Sequence, residues 1–125
     1  MRSSGVVLIA VVACMASCSG RHAVRDEAVM LTGGDPDKGI AAIGRYGCGS
    51  CHDIPGIRSA SGTVGPPLGR IAVRTYLAGR LSNTPANMVQ WIQHPQHVER
   101  GTAMPEMGVT EGDARDIAAF LYTLR

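Results

Sequence analysis

Gly47-Cys48-Gly49-Ser50-Cys51-His52 is the most informative segment of this sequence. Two cysteines separated by two residues and followed directly by a histidine form a C-x-x-C-H pattern, which is typical of covalent haem attachment. The thiols of Cys48 and Cys51 can each add to one vinyl group of a haem, and His52 then stands beside the iron as its proximal ligand. The pattern therefore predicts one haem c, bound covalently through Cys48 and Cys51.

Three other uses of two cysteines at this spacing remain open from the sequence. A redox-active dithiol usually follows a buried strand and precedes a long helix, whereas this pattern follows a predicted helix and runs into Gly and Pro residues. A zinc site needs further ligands at finger-like spacing, and the chain offers His94 and His97 but no second cysteine pair of that kind. A structural disulfide is the third alternative.

A second motif, Gly101-Thr102-Ala103-Met104-Pro105-Glu106-Met107, offers a sixth ligand for the iron. A thioether is soft and neutral, so it favours ferrous iron, and His/Met ligation raises the reduction potential. We predict Met104 as this ligand, because Pro105 stiffens the loop beside it and Thr102 can anchor the loop by hydrogen bonds. Met107 is the rival thioether.

Five motifs in a shared order and spacing resemble class I cytochrome c. They are Gly39, Cys48-Gly49-Ser50-Cys51-His52, Gly65-Pro66-Pro67-Leu68, Trp91-Ile92-Gln93-His94-Pro95 and Gly101-Thr102-Ala103-Met104-Pro105. The resemblance covers residues 35–125. It implies an all-α cytochrome c fold, in which three to four short helices and long loops wrap around one covalently bound haem. It also implies electron transfer rather than enzymatic catalysis.

The resemblance further implies roles for residues around the haem. The backbone carbonyl of Pro66 would accept a hydrogen bond from the second ring nitrogen of His52, which fixes the imidazole plane and raises its basicity. Trp91 would pack beside the methionine ligand and the macrocycle.

A haem propionate would lie near Arg74, with Arg70 and Tyr76 as other candidates for that contact. The predicted haem-binding residues are Cys48, Cys51, His52, Pro66, Arg74, Trp91, Thr102 and Met104, with His52 and Met104 as the iron ligands.

Capping signals predict where the helices begin. Asp35-Pro36 and Thr84-Pro85 each place a capping side chain before a proline at the first helical position, and Pro95 ends the second of these helices. Thr110-Glu111-Gly112-Asp113 resembles a capping box and opens a helix whose apolar residues keep the i, i+3, i+4, i+7 spacing. The resemblance to class I cytochrome c further implies that the first and last of these helices cross at Gly39, where a side chain would prevent close approach.

Composition indicates a small domain with too few large side chains for its own core. The chain has 125 residues, of which 4% are aromatic, 16 are Gly and 7 are Pro. A domain this short buries little surface, and the stretch from residue 53 to 82 is long for a bare loop. A haem would supply the missing volume, so we expect the haem-free chain to be largely unfolded. The formal net charge of +2 gives no sign of nucleic-acid binding.

The N-terminal sequence predicts export. Residues 1–17 combine a positive start with an apolar run shorter than the roughly 20 residues that span a bilayer, as in a signal peptide. The run ends in Met15-Ala16-Ser17-Cys18, which resembles a bacterial lipobox and would make Cys18 the lipidated first residue of the mature protein. A second lipobox-like site at Cys14 is an alternative.

Cleavage of an ordinary signal near Ala16 or Ser17 would instead release a soluble periplasmic protein. In either case we expect the domain on the periplasmic side of the bacterial envelope. Residues 18–34 are predicted to be a flexible tether, and residues 35–125 the cytochrome c domain.

These features predict a one-electron carrier that passes electrons between envelope redox partners of a respiratory chain. The donor would be a quinol-oxidising complex or a dehydrogenase, and the acceptor a terminal oxidase. The alternative is a haem subunit docked permanently to a dehydrogenase or terminal oxidase. Lys38 is the only lysine, so the chain has no lysine-rich docking ring, and this fits permanent docking at least as well as free diffusion. A gas-sensing or peroxidase-like site would need an open sixth position, and bis-histidine ligation through His97 would lower the potential.

Overall fold

The computed structural model describes residues 19–125, so the predicted signal peptide (residues 1–17) and the predicted lipidation site at Cys18 lie outside the described part. The described residues form five helices: α1 (19–32), α2 (Pro36–Tyr46), α3 (Pro85–Gln93), α4 (Pro95–Val98) and α5 (Glu111–Leu121). Single 3-10 turns lie at Cys48–Ser50 and Ile71–Val73, and β1 (Tyr76–Leu77) pairs antiparallel with β2 (Leu81–Ser82). This mostly helical architecture confirms the predicted all-α class.

Helices α2 and α5 cross at Gly39, as expected. A Cβ built on Gly39 would lie 2.7 Å from the backbone carbon of Asp116 and 3.0 Å from Cβ of Phe120. Only a glycine permits this approach, because real Cβ atoms essentially never come closer than 3.0 Å to such neighbours. The crossing places the buried face of α5, including Ile117 and Leu121, against α2.

The predicted capping residues are confirmed at the three main helix starts. The Asp35 side chain accepts from the Asp37 backbone N–H, and the Thr84 side chain accepts from that of Asn87. The Thr110 hydroxyl accepts from the Asp113 N–H at the start of α5. These bonds satisfy backbone donors that a helix leaves unpaired in its first turn.

Asp113 also ties α5 to the end of α2. Its carboxylate accepts from the Tyr46 hydroxyl at 2.8 Å and from the Arg45 guanidinium at 2.6 Å. The Tyr46 hydrogen bond is the largest cause that lowers the pKa of Asp113, followed by bonds from Thr110 and Arg45. The carboxylate therefore stays charged while it holds the two helices together.

The prediction that residues 18–34 form a flexible tether is wrong for residues 19–32, which are helical as α1. Ala28 is fully buried, and the Thr32 carbonyl accepts from the Arg115 guanidinium on α5. An ion pair between Glu27 and Arg125 adds a further link at 2.6 Å. The buried face consists of small residues. Large apolar side chains such as Met30, 79% exposed, lie on the surface, so they do not indicate which face of the helix is buried. For this reason the sequence showed no helical period here.

The long connection between α2 and α3 is pinned at Asn83. Its amide Nδ2 donates to the carbonyls of Ile71 and Arg74, both at 2.8 Å, and its Oδ1 accepts from the Tyr122 hydroxyl at 2.9 Å. Tyr122 lies directly after α5 and is 6% exposed. One side chain thus fastens this connection to the end of the last helix.

We expect stability to fall at alkaline pH because of Tyr122. Burial raises the pKa of Tyr122 to about 12, so the folded protein retains a phenolic proton that the unfolded chain loses near pH 10. This contribution is complete below pH 10 and is lost as the pH rises through about 12, at a cost of roughly 1–2 kcal/mol once solvent screening is allowed for. Urea midpoints measured across this range should fall more steeply for the wild type than for Tyr122→Phe.

Tyr76→Phe is the matched control, since Tyr76 is 59% exposed. The same alkaline slope in the wild type and Tyr122→Phe would refute this account.

Within residues 19–125, none of the helices has the length and apolar character needed to cross a bilayer.

Candidate haem site

A single cavity of about 340 Å³ brings the predicted site residues together. Its volume falls in the range of roughly 300–1,000 Å³ that cofactor sites occupy. The predicted residues on its wall are Cys48, Cys51, His52, Pro66, Arg74, Trp91, Thr102, Met104 and the rival Met107. Most of the remaining wall is apolar, and eight of its residues belong to the buried core, among them Ile43, Ile54, Met88 and Ile117.

The C-x-x-C-H segment forms one side of this cavity. Gly47 ends α2 in the left-handed conformation, with φ of 70°, and the chain then closes a 3-10 turn. The His52 N–H donates to the Cys48 carbonyl at 3.0 Å, so the turn brings both sulfurs and the imidazole to the same wall. Burial raises the pKa of Cys48, and the neighbouring Cys51 raises it further. Cys48 and Cys51 form no disulfide with each other.

His52 is held by the carbonyl expected from the sequence. Its Nδ1 lies 2.8 Å from the carbonyl oxygen of Pro66. Because a carbonyl only accepts, Nδ1 carries the proton, and the Nε2 lone pair is left for a metal. This is the tautomer that a proximal iron ligand requires.

Gly65 packs directly on the imidazole ring, a role that sequence reasoning did not assign to it. A Cβ at this position would lie 2.6 Å from Nδ1 and 2.9 Å from Nε2 of His52. The Gly65 N–H donates to the Cys51 carbonyl at 2.7 Å, which fixes the loop against the ring. The signal in the sequence was the glycine immediately before the Pro66-Pro67 pair.

Met104 lies on the cavity wall and is half-buried. Its backbone N–H donates to the Thr102 hydroxyl at 3.3 Å, which is the anchoring role predicted for Thr102. Met107 also lines the cavity and packs against the core. His97 does not line the cavity.

Arg74 lines the cavity, but its guanidinium is bound to the protein backbone. It donates to the carbonyls of Pro67 and Gly69, the second at 3.1 Å. Tyr76 also reaches the wall, whereas Arg70 does not. Arg74 therefore braces the loop that carries the Pro66 carbonyl, a contact that the propionate prediction did not include.

The zinc alternative finds no support, since no three His, Cys, Asp or Glu side chains among residues 19–125 are grouped to hold a metal ion.

Residues 37–125 match the sequence family described as Cytochrome c. The chain belongs to the cytochrome c family. Membership confirms the resemblance drawn from the motifs and makes this c-type cytochrome a haem-based electron carrier. No curated protein and no solved structure gave a significant match.

The residues of this cytochrome fit the haem that the family implies. Cys48 and Cys51 provide two thiols on one wall, and His52 faces the same space with the ligating tautomer. The apolar wall suits a macrocycle, while polar groups are few and are mostly bound to the backbone. A haem held there would complete the core.

Proposed function

We propose that this cytochrome carries one electron at a time between redox proteins of a respiratory chain, with His52 and Met104 as the axial ligands of its iron. The observation that carries the proposal is the shared cavity. His52 presents a free Nε2 lone pair to it, and the anchored thioether of Met104 lines the same cavity. When bound, haem c supplies an iron that exchanges one electron between the ferric and ferrous states.

The residues of the chain would set the potential of that exchange. A neutral thioether favours the ferrous state, and an apolar wall disfavours the additional charge of the ferric state. With His52 and Met104 both bound, the iron would be closed to small molecules and would keep the same ligands in both redox states. We therefore expect a positive midpoint potential and no binding of carbon monoxide to the reduced protein at neutral pH.

The Met104→Ala variant tests this ligation. We expect loss of the thioether-to-iron charge-transfer band in the ferric spectrum and a fall of the midpoint potential by roughly 100–300 mV, because axial ligands control much of the potential range of haem. Met107→Ala is the matched control and should retain both. A Met104→Ala protein with an unchanged low-spin spectrum would refute Met104 as the ligand.

We place the carrier on the periplasmic side of the envelope, attached through a lipidated Cys18. This rests on the N-terminal sequence alone. The intact mass of the native protein tests it, because one measurement reports the cleavage site, acylation and haem attachment together. A mature chain that is cleaved near Ala16 or Ser17 and carries no lipid would contradict the anchor.

Permanent docking to a dehydrogenase or terminal oxidase is the second candidate. The favouring observation is the exposed apolar surface of α1, where Val29, Met30 and Leu31 are 41%, 79% and 47% exposed. Exposed apolar side chains of this kind can contribute to a protein contact when they form part of a larger patch. Size exclusion of the detergent-solubilised native protein separates the candidates, since a fixed subunit migrates far above the 13.1 kDa chain.

A further inference from the structure

The side-chain amide of Gln96 is fully used by the loop that carries Met104. Gln96 lies in α4, and its Nε2 donates to the carbonyl of Thr102 at 2.8 Å and to that of Met104 at 2.9 Å. Its Oε1 accepts from the Gly101 N–H at 3.3 Å. An amide offers two donor hydrogens and one carbonyl, and here both hydrogens and the carbonyl bind this loop.

The backbone of Gln96 holds the other side of the same loop. Its N–H donates to the Glu106 carboxylate at 3.1 Å. Residues on both sides of Met104 are therefore tied to one position of α4. Among the described residues, no comparable hydrogen bond holds the backbone of Met107.

We infer that Gln96 is the positioning residue for Met104. This inference rests on the proposed His52 and Met104 ligation. Gln96 does not line the cavity, so it acts on the iron site only through the loop. A neutral thioether is a weak ligand, and it stays bound only if the loop that carries it is already ordered, because ordering a free loop at the moment of ligation costs conformational entropy.

Imidazole binding to the ferric holoprotein measures how often Met104 leaves the iron, because imidazole takes the sixth position only when the thioether is absent. Gln96→Ala removes two donated bonds and one accepted bond. We expect it to bind imidazole roughly tenfold more tightly than the wild type, as the loss of one or two net hydrogen bonds predicts. Its thioether-to-iron charge-transfer band should weaken in parallel.

Gln96→Glu is the second variant, and it covers the case in which the alanine protein does not assemble. It keeps the size of the side chain and the acceptor for Gly101, but it turns a carboxylate oxygen towards the carbonyls of Thr102 and Met104. We expect imidazole affinity to rise at least as much as in Gln96→Ala.

Gln93→Ala is the matched control. Gln93 lies at the end of α3, and its Nε2 donates to the Val109 carbonyl at 3.2 Å, five residues after Met104, without bonding to residues 101–106. We expect its imidazole affinity to stay within about twofold of the wild type. An equal rise in Gln93→Ala and Gln96→Ala would mean general loosening and would overturn the inference, as would wild-type affinity in both Gln96 variants.

Met104→Ala separates this inference from the proposed function. If it binds imidazole no more tightly than the wild type, Met104 is not the ligand and the proposed ligation fails. If it binds tightly while the Gln96 variants bind like the wild type, the ligation stands and the positioning role alone fails.

Discussion

Replacing Cys48 and Cys51 together with alanine, with the haem removed, is expected to leave the chain largely unfolded. The haem site is not a cleft on the surface of a core that is already complete. Eight side chains of the buried core line the cavity itself: Ile43, Ile54, Ile71, Leu77, Met88, Ile92, Ile117 and Leu121. Without the haem these side chains would face an unfilled cavity of about 340 Å³, and the apolar burial lost there is comparable in scale to the whole stability of a small domain.

Circular dichroism and thermal melting of the haem-free double variant measure this effect. Ser50→Ala is the matched control, because it changes an exposed residue of the same motif and retains both thiols. It should take up haem and melt cooperatively. A haem-free Cys48→Ala/Cys51→Ala protein with native-like helicity and a cooperative melt would contradict the view that the haem completes the core.

The second large effect is expected from Gly65→Ala. The added methyl group would overlap the His52 ring, and Gly65 cannot retreat because its N–H is bonded to the Cys51 carbonyl. The ring must therefore turn. This breaks its hydrogen bond to Pro66 and moves Nε2 away from the position in which it would ligate the iron. We expect a loss of stability of about 1–3 kcal/mol or more from overpacking, together with a changed electron paramagnetic resonance spectrum of the ferric protein.

Gly69→Ala is the control for this prediction. It is the same substitution in the same loop, but its Cβ would meet only Pro55, at the ordinary contact distance of 3.4 Å. Its spectrum and melting temperature should match those of the wild type. Equal melting temperatures and equal spectra for both variants would show that Gly65 does not position the imidazole.

The parts of the fold that depend on local interactions could be predicted from the sequence. Asp35, Thr84 and Thr110 begin helices because each bonds a backbone donor two or three residues away. The C-x-x-C-H segment was equally readable, since covalent chemistry demands those residue types at that spacing. Helix α1 was not, because its buried face is built on Ala28 and Thr32, which carry no hydrophobic period.

The supporting residues of the site left no comparable signal. Gln96 and Asn83 act through side-chain amides that bond to backbone carbonyls, and Asn83 bonds to carbonyls 9 and 12 residues away along the chain. Asn and Gln side chains occur in almost every sequence, and every residue has the same backbone carbonyl. Only the folded chain shows which amide meets which carbonyl.

The helical form of α1 determines how far a membrane-anchored haem domain could move. If Cys18 carries lipid, α1 begins at the next residue, rises about 20 Å over its length and is fastened to α5 through Arg115 and to the C-terminus through Arg125. With such an anchor, the described part of the chain would add no slack between the bilayer and the domain. Electron exchange would then occur in a thin layer above the bilayer, by lateral diffusion, with partners whose redox centres lie at a matching height. Lengthening this helix would hold the haem domain farther from the bilayer and so change which partners it can reach, without altering any residue at the docking face.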